Sequence, residues 1–71
     1  MLAMNSKQYK NYLLRLVSLS LQIIYKCDSK QAGYHIAVII HIYGWDESYF
    51  YSTIKQAIIK LLKAIDYERK D

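Results

Sequence analysis

The side chains here that most often do chemistry are two histidines and one cysteine, His35, His41 and Cys27. A shared metal ion needs its ligands brought to one point. A spacing of six points His35 and His41 in widely separated directions on a helix and sets them far apart on a strand. They therefore form no local site with Cys27, and no metal is expected. A lone cysteine allows neither an intramolecular disulfide nor a zinc site built on cysteine pairs, so Cys27 reads as a small apolar filler near a helix end. The two histidines read as core or boundary residues. Paired carboxylates, a nucleophile elbow and a glycine-rich phosphate loop are all missing from the sequence. The chain is read as not an enzyme, with no cofactor.

The aromatic residues say more. Eight tyrosines, one tryptophan and one phenylalanine make up 14% of the chain, and Tyr43, Trp45, Tyr49, Phe50 and Tyr51 crowd into one stretch. Tyr and Trp bury large area at low entropy cost while keeping a polar tip, which suits protein interfaces and the stacking of single-stranded bases. A small core also uses aromatics to fill volume. Phe50 and Trp45 are expected inside, with Tyr49 and Tyr51 outside. The expected partner-binding residues are Tyr49, Tyr51, Ser52, Lys55 and Ile59.

Composition bounds what can position these groups. With 71 residues, 54% hydrophobic and 23% charged, the chain is one small domain (1–71), too apolar to be disordered. Its longest apolar run, 36–40, is far short of the roughly 20 residues of a membrane span. No signal-peptide pattern is read at the N-terminus, so an intracellular, cytoplasmic setting is expected and no membrane partner. The net charge of +4, with a sequence pI near 9.2, is compatible with nucleic acid, an anionic membrane surface or an acidic protein and does not choose among them. The lysines are dispersed, so no basic arm is read. Richness in Lys, Ile and Tyr suits a viral or plasmid gene product, as a compositional habit only.

There is no proline, and the two glycines are Gly33 and Gly44. Helix starts must therefore be read from capping pairs: Asn5 with Gln8, Asp28 with Gln31, and Asp46 just after Gly44. Three helices follow, at about 6–27, 29–43 and 47–67. In the first, Tyr9, Leu13, Leu16, Ser20, Ile23 and Cys27 recur at steps of four and three, with Leu14, Val17, Leu21 and Ile24 as a second stripe beside them. The apolar arc covers roughly 200° of the helix, more than one neighbour needs. A second copy of the chain is the expected other neighbour, through Leu13, Leu16, Ser20 and Ile23. The last helix carries its apolar face at Phe50, Ile54, Ala57, Ile58, Leu61, Ala64 and Ile65, and Ile59 interrupts its polar side.

The middle segment, 34–43, is β-branched and ambiguous by periodicity alone. With no second strand to pair with, a helix ended by Gly44 is preferred; a strand would require pairing across two chains.

Residues 39–54 carry a further pattern. Ile39, Ile40 and Tyr43 precede a turn at Gly44, Trp45 follows it, and a polar cap leads to inward positions at Phe50 and Ile54. This stretch resembles the helix-turn-helix of DNA-binding regulators. The resemblance covers about twenty residues and departs from the pattern twice. Ile40 stands where a small residue usually lets the helices approach, and the would-be recognition helix opens with Asp46 and Glu47, which oppose phosphates. The DNA-contacting residues it implies are Ser48, Tyr51, Ser52 and Lys55.

The expectation is thus an all-α, three-helix unit with a helix-turn-helix-like second and third helix, forming a dimeric helical bundle. Its expected role is that of an adaptor or inhibitor docking on a protein partner, the alternative being a minimal DNA-binding regulator.

Overall fold

The computed structural model describes residues 5–69. It is all-helical there: α1 spans Ser6–Tyr25, α2 Ser29–Tyr43 and α3 Glu47–Arg69. No strand occurs among the described residues, so the β-branched middle segment is a helix within a single chain.

Side chains at the N-termini explain where each helix begins. Asn5 accepts from the Gln8 amide at 2.8 Å while Gln8 reaches back to the Asn5 amide at 3.2 Å. Asp28 and Gln31 repeat this reciprocal box at the same distances. Each box satisfies two donors that the first turn leaves without intrahelical partners. Asp46 accepts from the Tyr49 amide at 3.1 Å and starts α3 more simply. At the other end of α2, Gly44 takes φ 77° and donates its amide to the Ile40 carbonyl at 2.8 Å. A positive φ of this kind favours glycine because it has no Cβ.

α1 stops at Tyr25, two residues before the expected 27. Lys26 turns the chain into the left-handed region at φ 54°, ψ 42°. Only a non-glycine residue is available there, so the sequence carries no stop signal. α3 runs to Arg69, beyond the expected 67.

α1 is the central helix. Its backbone lies close to both α2 and α3, whereas the backbones of α2 and α3 stay apart from one another. The core consists of Leu13, Val17 and Leu21 from α1, Ala32 and Ile36 from α2, and Phe50 from α3. Ala57 is also buried. Two buried hydroxyls are satisfied locally, Ser20 on the Leu16 carbonyl at 2.7 Å and Thr53 on the Tyr49 carbonyl at 2.9 Å. Burying them therefore leaves no unpaired donor.

Two contacts fix the direction of α3. The Tyr9 and Tyr51 hydroxyls meet near the start of α1 and the start of α3. The Lys60 ammonium donates to the Ile23 and Ile24 carbonyls at 3.1 and 3.0 Å, at the end of α1. The two helices are therefore parallel, and α1 runs out beside Lys60. At about 1.5 Å per residue, 61–69 extend roughly 13 Å further.

This changes the expected face of α3. Phe50 and Ala57 are buried and Ile54 is partly buried, but Ile58, Leu61, Ala64 and Ile65 are exposed. Their spacing is helical and apolar, yet Ile58 lies off the side that α1 covers, α1 has ended before Leu61, Ala64 and Ile65, and no other described element covers them.

Candidate functional site

The aromatic end of the molecule is built around Phe50, which is fully buried. Trp45 meets it edge-on, with ring centroids 5.0 Å apart and planes at 77°, and Tyr49 approaches it at 6.1 Å and 67°. Such edge-to-face pairs gain from the ring quadrupoles beyond the area they bury. Lys10 lies over the Trp45 ring, 5.2 Å from its centroid, a cation–π distance. The indole N–H donates to Glu47 at 3.5 Å.

Trp45 and Tyr49 are both half-buried. Tyr49 was expected outside; it is drawn inward because its hydroxyl meets His35 Nε2 at 3.1 Å. This contact bridges α2 and α3, whose backbones stay apart. The Tyr25 ring lies 6.1 Å from His35 on the other side. His41 is exposed on the same helix and does not share that environment. Among the described residues no three of His, Cys, Asp and Glu gather where they could hold a metal ion. Cys27 is half-buried and donates its thiol to the Leu21 carbonyl at 3.7 Å.

The Tyr9 phenol is pushed up to about 12, chiefly by its hydrogen bond to Tyr51, then by desolvation and the negative charge of Glu47. A phenol held this firmly protonated supplies neither a base nor a nucleophile near neutral pH.

Of the residues expected to bind a partner, Tyr51, Ser52, Lys55 and Ile59 are exposed on α3 and only Tyr49 is turned in. They fall on two faces. Tyr51 and Lys55 continue into Ile58, Leu62 and Ile65 by steps of three and four. Ile59 lies around the helix, lining a groove with Ile24, Gln56, Lys60 and Lys63. A second open groove, between α1 and α2, has Leu14, Ile36 and Ile40 with Asn11, Arg15 and Ser18 around it. Ser48, the remaining residue of the DNA-contacting set, is exposed beside Asp46 and Glu47.

In the α1 set expected to meet a second copy, Leu13 and Ser20 are only 2% and 5% exposed within one chain, while Leu16 and Ile23 are half-buried. Most of the wide arc of α1 is thus covered by its own α2 and α3. A run of uncovered apolar side chains lies instead on α3, where Ile58 is 51% exposed, Leu61 46%, Leu62 59% and Ile65 53%. Three of these belong to the apolar face read for the last helix, and Leu62 lies outside that set. The sequence held no signal for this, because the helices read there, about 6–27 and 47–67, are of nearly equal length and periodicity does not show what lies opposite a face. The Lys60 contact had no sequence signal at all.

No described helix is long and apolar enough to cross a membrane. No known protein family matches the chain, and neither a curated protein nor a solved structure matches it significantly.

Proposed function

We propose that this chain is a non-enzymatic interaction protein, an adaptor or inhibitor that acts as a homodimer and docks on another macromolecule through the exposed surface of α3. The observation that carries this reading is the run of exposed side chains from Tyr51 to Ile65 on a helix whose far end projects past the end of α1. Contiguous apolar surface of this kind is uncommon on monomeric proteins and marks contact surfaces. Tyr51 supplies an aromatic anchor of the kind enriched at protein interfaces, with Ser52, Lys55 and Ile59 also exposed on α3 to add a hydroxyl, a cation and an aliphatic side chain.

A second reading, a minimal helix-turn-helix regulator, is favoured by the positive-φ Gly44 turn between α2 and α3 and by the net charge of +4. Against it stand two acidic residues exposed at the start of α3 and the wide separation of the α2 and α3 backbones, each of which lies closer to α1.

A fluorescence anisotropy titration of mixed-sequence duplex and single-stranded DNA, repeated across salt concentrations, separates the two. Protein docking predicts no binding even at low salt. Micromolar binding with a steep salt slope would mean that several phosphates are neutralised, and would replace the first reading with the second.

A further inference from the structure

We propose that the outer ridge of α3, formed by Tyr51, Ile54, Ile58, Leu61, Leu62 and Ile65, docks on the same ridge of a second copy of this chain, parallel and in register. This rests on the reading of the chain as a homodimer and names the face that makes it.

The exposure fits. Tyr51, Ile58, Leu61, Leu62 and Ile65 are each 46–59% exposed, and each copy would bring these five side chains to the pair.

The spacing fits as well. Tyr51, Ile58 and Ile65 step by seven along α3, and Ile54 and Leu61 form a second row of the same period, offset by three and four. These are the two seam positions of a heptad. In the second heptad Ile58 stands in the first row and Leu61 in the second, the combination that favours two parallel strands, while the first heptad carries Tyr51 and Ile54 there. Two heptads are short for a free coiled coil, and α1 adds to them. Tyr9, Leu16 and Ile23 also step by seven, and because α1 and α3 run in the same direction from the Tyr9–Tyr51 contact, this stripe flanks the ridge. The half-buried Leu16 and Ile23 are thus the edge that a second copy would finish covering.

Charge selects a second copy over a charged partner. None of the six ridge residues is ionisable at neutral pH, and Lys55 lies only at the margin. Lys60 and Lys63 lie on the opposite side of the helix by its 3.6-residue turn, and Lys60 is turned to the end of α1. Symmetric pairing then sets Ile58 on Ile58 and Ile65 on Ile65 without bringing the excess positive charge into the seam, whereas an acidic partner would meet only Lys55, at the edge of the ridge.

The test is sedimentation equilibrium of the full chain as wild type, Ile58→Glu, Ile58→Lys and an equimolar mixture of the two variants, with far-ultraviolet circular dichroism as a check on folding. The expected result is a wild-type dimer, a dissociation constant raised about 100-fold or more in either variant, and a heterodimer recovered in the mixture. Leu62→Ser, wholly beyond the end of α1, should weaken the dimer about 10-fold even if the Ile58 variants fail to fold. A wild-type chain that stays monomeric at several hundred micromolar would overturn the homodimer reading and the ridge together. A wild-type dimer indifferent to all three substitutions would overturn the ridge alone. Weakening without recovery in the mixture would overturn the parallel, in-register pairing.

Discussion

The Lys60 ammonium donates to the Ile24 carbonyl at 3.0 Å, joining the middle of α3 to the last turn of α1 across 36 residues of sequence. One residue earlier, the Ile23 carbonyl accepts from the same group at 3.1 Å. The last carbonyls of a helix lack intrahelical partners and carry its negative dipole end, so a lysine there satisfies both needs. It also marks where α1 ends beneath α3.

Replacing Lys60 with Ala should cost about 0.5–1 kcal/mol, because the contact is exposed and water substitutes for it in part. Urea denaturation followed by circular dichroism measures this. Lys60→Arg, which keeps the charge, should retain most of the stability.

Asp28→Ala should cost about 1 kcal/mol by opening the capping box at the start of α2, and Asn5→Ala a similar amount at the start of α1. The two caps share no partner, so the double variant should lose the sum of the single losses in chemical denaturation.

Phe50→Ala removes the largest fully buried side chain and should cost about 3–5 kcal/mol, enough to unfold a chain with so small a core. Ile58→Ala on the same helix should change the stability of the single chain by less than about 0.5 kcal/mol, since it lies outside the core. Thermal unfolding at low micromolar concentration, where assembly contributes least, distinguishes the two positions.

The Tyr9 phenol, raised from 10.0 to about 12 by Tyr51 first and then by desolvation and Glu47, makes stability depend on pH in the alkaline range. The unfolded chain releases this proton near its ordinary value, before the folded chain does. The contribution is fully present below pH 10 and is lost as the pH rises through 12. Ultraviolet titration of tyrosinate should show one late phenol in the wild type, and Tyr51→Phe should bring it down toward 10.

Much of this architecture was legible in the sequence, because capping pairs and the Gly44 turn are local signals. Asn5 with Gln8, Asp28 with Gln31, and Asp46 each open a helix where their spacing indicates. The β-branched middle segment folds as a helix because no second strand exists to satisfy its backbone. The end of α1 was not legible, since Lys26 adopts a left-handed conformation that lysine does not advertise. The exposure of Leu61, Leu62 and Ile65 was hidden for a different reason: periodicity shows that a face is apolar, but not whether anything lies opposite it. Tyr49 was misplaced because His35, fourteen residues away, draws its hydroxyl inward.

Amide hydrogen exchange across 61–69, measured over a range of protein concentrations, tests most directly whether the projecting end of α3 is a contact surface. Docking of a second copy on the ridge predicts that protection of these amides rises with concentration, in step with the dimer fraction, while the core amides of Val17 and Phe50 stay uniformly protected. Rapid exchange of 61–69 at every concentration would mean that nothing of this chain's own covers that end, and would contradict the account.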